Sequence, residues 1–145
     1  MNRFTQIISA IAINLPALAA ASANQPAALE IAFTGIETPT GNIMLAVFDS
    51  EMAYNGKGAP VRASMVAANS AEVKTTLEGL PAGKYAIKLF HDVDGDGKMR
   101  TNPFGIPIEP FAFSNNAVGT MGEASWTDAS FEVNVGATSH RIVIQ

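Results

Sequence analysis

The chain contains no cysteine. That excludes disulfides, thiolate metal sites and a lipid anchor on an N-terminal cysteine, and it leaves stability to the core. Charge is scarce, at 15% of residues with a net of −4. Lys and Arg form no cluster, which argues against nucleic acid and anionic membrane as partners. Beyond the N-terminus no run is long and apolar enough to span a bilayer. No amphipathic helical periodicity stands out, and neither a Gly-x-Ser-x-Gly elbow nor a phosphate-binding glycine loop is present. A length of 145 residues argues for one domain, able to bury about two thirds of its unfolded surface.

The N-terminus reads as an export leader. Arg3 supplies a positive start, a mostly apolar stretch follows from Ile7 to Leu15, and Pro16 breaks it. Ala21-Ser22-Ala23 is a small-residue cleavage pattern. A membrane anchor would need about 20 mostly apolar residues, and Thr5, Gln6, Ser9, Asn14 and Pro16 interrupt the window. Cleavage after Ala23 leaves residues 24–145 as a periplasmic or secreted domain with no membrane insertion. Loss of Arg3 makes its net charge one unit more negative.

Within that domain the apolar residues alternate with period two, the signature of strands. Leu29, Ile31 and Phe33 form one set, Val73, Thr75 and Leu77 a second, and Tyr85, Ile87 and Leu89 the strongest. Residues 43–48 are apolar on both phases, as in a strand covered on both faces. Weaker strands are expected at 61–67, 111–114, 129–135 and 141–145. Residues 49–60, with Gly56, Gly58 and Pro60, read as a loop with one helical turn. Seven or eight short strands separated by turn signals predict a single antiparallel β-sandwich, an all-β fold.

The strongest chemical signal is His91-Asp92-Val93-Asp94-Gly95-Asp96-Gly97-Lys98. Asp92, Asp94 and Asp96 occupy the first, third and fifth places of a calcium-loop pattern, with Gly97 at the sixth. The glycine bend would aim the Lys98 carbonyl at the ion. Calcium is therefore the one cofactor candidate. The twelfth place, where a helix–loop–helix site has a bidentate Glu, is Pro103, and the flanks read as strand and loop. Asn102, Glu109 and Asp128 are the candidates to complete the set. Without the bidentate ligand, binding would fall in the ~10⁻⁴ to 10⁻³ M range. The same residues also read as a solvated Asp-Gly turn, with Lys98 and Arg100 offsetting the charge.

His91 and His140 fit no transition-metal spacing, even with the scattered methionines. His91 reads as a strand-end residue orienting the loop, and His140 as a solvated turn residue. Ser114 could be cast as a nucleophile, but no spacing joins it to a base. The segment from Phe104 to Asn116 holds three prolines, counting Pro103, and three phenylalanines. It reads either as a loop capping one end of the sandwich or as an aromatic platform for a protein or carbohydrate partner. Met99 is expected behind the acidic loop, in the core, and Trp126 and Phe131 also read as core.

Several of these motifs together carry a resemblance. Leu80-Pro81-Ala82-Gly83-Lys84-Tyr85-Ala86, Phe90-His91-Asp92, the Asp/Gly loop, Thr101-Asn102, Phe104-Gly105-Ile106-Pro107 with Glu109, and Phe113-Ser114-Asn115-Asn116 closely resemble an exported bacterial family, domain of unknown function 2141. The resemblance implies a periplasmic or secreted β-sandwich of immunoglobulin-like or prealbumin-like form, and no known activity. Arg100 stands where that family's pattern more often has an acidic residue, which removes one oxygen ligand. The Tyr-Arg-Gly-Ser ending of transthyretin-like hydrolases is absent, and shared architecture does not confer their chemistry. The expected role is a non-catalytic binding or accessory module, not an enzyme, with a weak calcium site at Asp92, Asp94, Asp96 and Lys98. The alternatives are a small extracytoplasmic hydrolase using His91 with nearby carboxylates, and a structural domain without ligand.

Overall fold

The computed structural model describes residues 26–145, so the expected leader, residues 1–23, lies outside the described residues. Two sheets pack face to face. One holds three strands in the order β4 (Glu72–Leu80), β1 (Ala27–Thr34), β8 (Gly136–Val143). The other runs β3 (Arg62–Ala67), β2 (Asn42–Phe48), β5 (Gly83–Asp92), β6 (Phe111–Phe113), with β7 (Phe131–Val133) also beside β5. Period-two alternation puts Leu29, Ile31, Phe33, Ile43, Leu45, Val47, Tyr85, Ile87 and Leu89 between the sheets, all nearly inaccessible to water. Each such aliphatic or aromatic side chain contributes about 1.5–3 kcal/mol by leaving water.

The expected sandwich is thus the observed one, with three local differences. β8 runs parallel to β1, in register from Ala27 opposite Gly136 to Thr34 opposite Val143, while the other pairings are antiparallel. β8 also begins five residues earlier than its apolar alternation suggests, because this edge strand buries only Ile142 deeply and its first residues stay polar. The strand expected over 129–135 shrinks to three residues, since Ser125 caps a short helix, α1 (Trp126–Ala129), by accepting the Asp128 N–H at 3.1 Å.

β5 has two partners on one edge, β7 along residues 83–85 and β6 along 88–90. Ser114 bridges the gap between them. Its hydroxyl accepts the Ile87 N–H at 2.8 Å and donates to the Ala129 carbonyl at 2.6 Å. A serine with no exposed surface, spent on two backbone groups, is a structural plug, which accounts for it better than nucleophilic chemistry does.

Beyond Ser114 the chain takes two successive left-handed residues, Asn115 at φ 59° and Asn116 at φ 51°. Asparagine tolerates this region because its amide bonds nearby backbone. Asn115 donates to the Asp128 and Ser130 carbonyls, and Asn116 accepts the Val143 N–H at 2.8 Å. His140, expected on a solvated turn, instead lies in β8. Its ring stacks on Phe131 at 4.0 Å and its Nε2 accepts the Asn115 N–H at 3.0 Å.

Burial holds the His140 pKa below its ordinary value of 6.5. The unfolded chain therefore binds this proton more readily than the fold does, and the stability His140 contributes is complete above pH ~6.5 and lost as pH falls through that value toward the lower folded pKa. Denaturant unfolding between pH 8 and pH 5 should show a decline beginning near pH 6.5 that His140→Gln flattens. An identical pH slope in the two proteins would remove this role from His140.

Candidate functional site

The acidic loop is organised by two buried carboxylates. β5 delivers Asp92, 1% exposed, to the loop's start. Its Oδ1 accepts the N–H groups of Gly95 at 2.9 Å and Asp96 at 3.1 Å, and its Oδ2 accepts that of Gly97 at 2.9 Å. Glu109 enters from the far end and accepts the N–H groups of Val93 at 3.1 Å and Arg100 at 3.0 Å. Five backbone donors thus converge on two side chains, the arrangement a tight loop needs when no strand partner is available. Gly95 at φ 74° and Gly97 at φ 77° supply the left-handed bends.

Asp94 and Asp96 lie on the exposed side of this turn. Asp94 meets the Arg100 guanidinium at 3.2 Å, and Asp96 accepts the Lys98 N–H at 2.8 Å. One carboxylate oxygen each from Asp92, Asp94 and Asp96 fall within 4.8 Å of one another, so the structure does bring the three expected ligands together. Lys98 is exposed. Of the candidates to complete a metal set, Asn102 is spent on the N–H groups of Phe104 and Ile106. Asp128 is engaged with Ser125 at α1. Glu109 is engaged with the loop backbone.

His91 lies on the inner face of β5, 1% exposed, with Nε2 at 2.7 Å from the Thr40 carbonyl. A carbonyl only accepts, so Nε2 carries the proton. The His91 ring thus ties the end of β5 to the turn before β2 and not to the acidic loop, and it does not line the large cavity on the outer face of the sheet.

After Arg100 the chain folds into a finger. Arg100 O accepts the Ile108 N–H at 3.0 Å, Thr101 bridges Pro107, and Asn102 closes the tip by bonding Ile106 at 2.8 Å. Phe104 at the tip is 87% exposed, and Ile106 and Ile108 are more than half exposed. The aromatic segment therefore divides. Phe104 projects to solvent, Phe111 is partly covered, and Phe113 is buried. The tip is exposed and the second half buried because β6 captures Phe113.

The finger forms one wall of an apolar groove that the sequence reading did not find. Strand register builds its floor on the outer face of the larger sheet. Met65, Met44, Phe90 and Phe111 are consecutive partners across β3, β2, β5 and β6, and Ala63, Ala46, Lys88 and Phe113 form the next row. Met99, Ile106 and Pro107 close one side, and Met121 and Glu123 the other. Met99 thus lines the groove instead of entering the core. The cavity is about 1090 Å³, at the upper end of small-ligand sites. The available signal was residues 43–48, apolar on both phases. Ile43, Leu45 and Val47 fill the core, while Met44 and Ala46 face the groove.

A second, smaller core covers the rest of the outer face. Phe48, Tyr54, Ala86, Phe113, Ala124 and Ala129 pack together, with Trp126 partly buried against them. Tyr54 comes from a short helical turn, Ala53–Lys57, and meets Phe48 and Trp126 edge-on at 5.6 and 5.8 Å. Its hydroxyl donates to the Ala124 carbonyl at 2.9 Å. Burial, with the nearby charges of Glu123 and Asp128, pushes the phenol up to about 12, so it stays neutral. At the boundary between this core and the groove, the Lys88 ammonium lies 4.3 Å from the Tyr54 ring centre, bonds the Tyr54 carbonyl at 2.7 Å and pairs with Glu123.

The family model described as "Uncharacterized protein conserved in bacteria (DUF2141)" matches residues 31–141, and the chain belongs to that family. No curated protein and no solved structure matches it.

Proposed function

We propose that this DUF2141 protein is an exported, non-catalytic binding module that holds an apolar ligand in the groove on the outer face of its larger sheet. The observation that carries this reading is the floor. Met65, Met44, Phe90 and Phe111 form an apolar row over which no element of the described residues is laid, although the opposite face of β2, β5 and β6 is buried. Apolar residues rim the opening as well, with Ile106 and Met121 at more than half exposure. A contiguous exposed patch of this kind marks a binding surface in soluble proteins. Methionine side chains repack readily around guests of different shape. Export after cleavage near Ala23 places the groove in the periplasm or outside the cell.

A neutral fluorescent probe such as N-phenyl-1-naphthylamine tests the reading. Its emission should rise on addition of the protein, and Ala63→Trp, which fills the floor from the edge strand, should cut its affinity at least tenfold with the melting temperature little changed. Probe binding that survives this substitution would place the apolar site elsewhere, and absence of binding by the wild-type protein would end the proposal.

The acidic loop has a subordinate place in the proposal, as a weak calcium site at Asp92, Asp94, Asp96 and the Lys98 carbonyl, next to the finger. The shared 4.8 Å neighbourhood of the three carboxylates supports it. Three N–H donors on Asp92 and the Arg100 contact on Asp94 leave few lone pairs for an ion that takes six to eight oxygens, which keeps the affinity low. A site with a dissociation constant of about 1 mM would add roughly 1.4 kcal/mol at about 10 mM Ca²⁺, near 5 °C in melting temperature. The same salt as Mg²⁺ should do less. A melting curve indifferent to calcium would leave the loop as a self-satisfied turn.

A further inference from the structure

The geometry points to a long-chain alkyl carboxylate as the ligand class of the groove, its head group on Lys88 and its chain along the Met44 and Phe90 row. This rests on the groove being the binding site, as proposed above. Among the described residues Lys88 and Glu123 are the two charged residues that line it, and they are paired with each other. The Lys88 side chain is only 20% exposed, whereas that of Glu123, on the irregular loop before α1, is 64% exposed. An ammonium this shielded needs an anion beside it. Glu123 supplies one, but its carboxylate is already mostly in water, so releasing it costs little. A ligand carboxylate would take the same place on Lys88, with Tyr54 still holding the ammonium through its carbonyl and ring face.

The floor decides between an alkyl chain and a peptide. β2 is paired on both edges, by β3 and β5, and β5 by β2 on one side and by β6 and β7 on the other. No backbone donor or acceptor of these strands is left to face the groove. What they present upward is thioether, phenyl and methyl. A peptide lying there would bury its own N–H and C=O groups without partners, which disfavours it. A polymethylene chain has none to bury. A peptide pairing with the outer edge of β3 would extend the sheet and lie beside the groove, not in it.

Isothermal titration of the purified protein with dodecanoate, dodecan-1-ol and dodecylammonium, each below its aggregation threshold, tests the inference. Dodecanoate should bind tightest, by roughly 10- to 100-fold over the alcohol, the worth of one charge-assisted contact. Dodecylammonium should bind weakest. Lys88→Met should erase the acid's advantage over the alcohol. Glu123→Gln, on an exposed loop and safe for folding, should tighten dodecanoate roughly two- to fivefold by removing the competing carboxylate. If acid and alcohol bind equally to wild type and to Glu123→Gln, the carboxylate inference is wrong while the apolar groove stands. If none of the three binds, both readings fall together. Should Lys88→Met not fold, the wild-type ranking and Glu123→Gln decide alone.

Discussion

Asp92→Ala is expected to remove about 3–5 kcal/mol of stability, the largest loss of any single acidic residue in this chain, because three loop N–H donors lose one buried, charged acceptor together. Gly95, Asp96 and Gly97 all bond that carboxylate, and no neighbouring strand stands ready to replace it. Asp94→Ala, on the exposed side of the same turn, should cost less than about 1 kcal/mol, the usual worth of an exposed ion pair such as that with Arg100. Chemical denaturation without added calcium makes the comparison. Equal losses at the two positions would mean that the loop is not built around Asp92. The comparison also separates structure from metal binding. A loop held mainly by an ion would lose stability at both carboxylates in calcium and at neither in chelator, whereas a loop held by backbone bonds keeps the difference in both.

Gly41→Ala is the second substitution with a large expected effect, again about 3–5 kcal/mol, from steric overlap and a backbone conformation that L side chains avoid. Gly41 sits at φ 68°, and a Cβ there would lie 2.0 Å from the Asp92 carbonyl oxygen and 2.8 Å from that of Val93. Both obstacles are backbone, so no rotamer change relieves them. Gly41 O also accepts the Ala68 N–H at 3.0 Å, which ties the β2 start to the β3 end. The overlap forces either this corner or the acidic loop to move. Thermal melting of Gly41→Ala against Gly56→Ala provides the control, since Gly56 has a similar φ of 79° with nothing within 4 Å of its Cβ. Equal effects at the two glycines would show that φ alone matters and that the close approach to Asp92 does not. Gly41 and Asp92 act on one loop, so their losses should not add.

The strands were legible because period two is a local property. Leu29, Ile31 and Phe33 announce an inward face whatever lies across from them, and so do Tyr85, Ile87 and Leu89. Boundaries failed where burial was shallow. β8 carries Thr138, Ser139 and His140 in regular pairing with β1, but an edge strand with one deeply buried residue leaves little apolar trace. The three aspartates were found by spacing, and they do converge. Their spacing could not show that Asp92 points inward to hold the backbone while Asp94 and Asp96 face water, because an Asx-type turn and a cation loop ask for the same residues. Glu109 and Ser114 carried no local signal. Each serves backbone groups far away in sequence, sixteen residues back to Val93 and twenty-seven to Ile87.

The sequence by itself determined a cysteine-free, mildly acidic β-sandwich with a turn of aspartates and glycines at the tip of its best strand, since composition, alternation and turn chemistry are written residue by residue. Tertiary structure alone decided that Met44, Phe90 and Lys88, on two different strands, share one open face, and that Glu123 reaches the same ammonium from a distant loop. Which apolar residues are covered and which are left facing a groove depends on what the fold lays over them. That is a matter of register and loop path, neither of which is encoded in the pattern of any one segment.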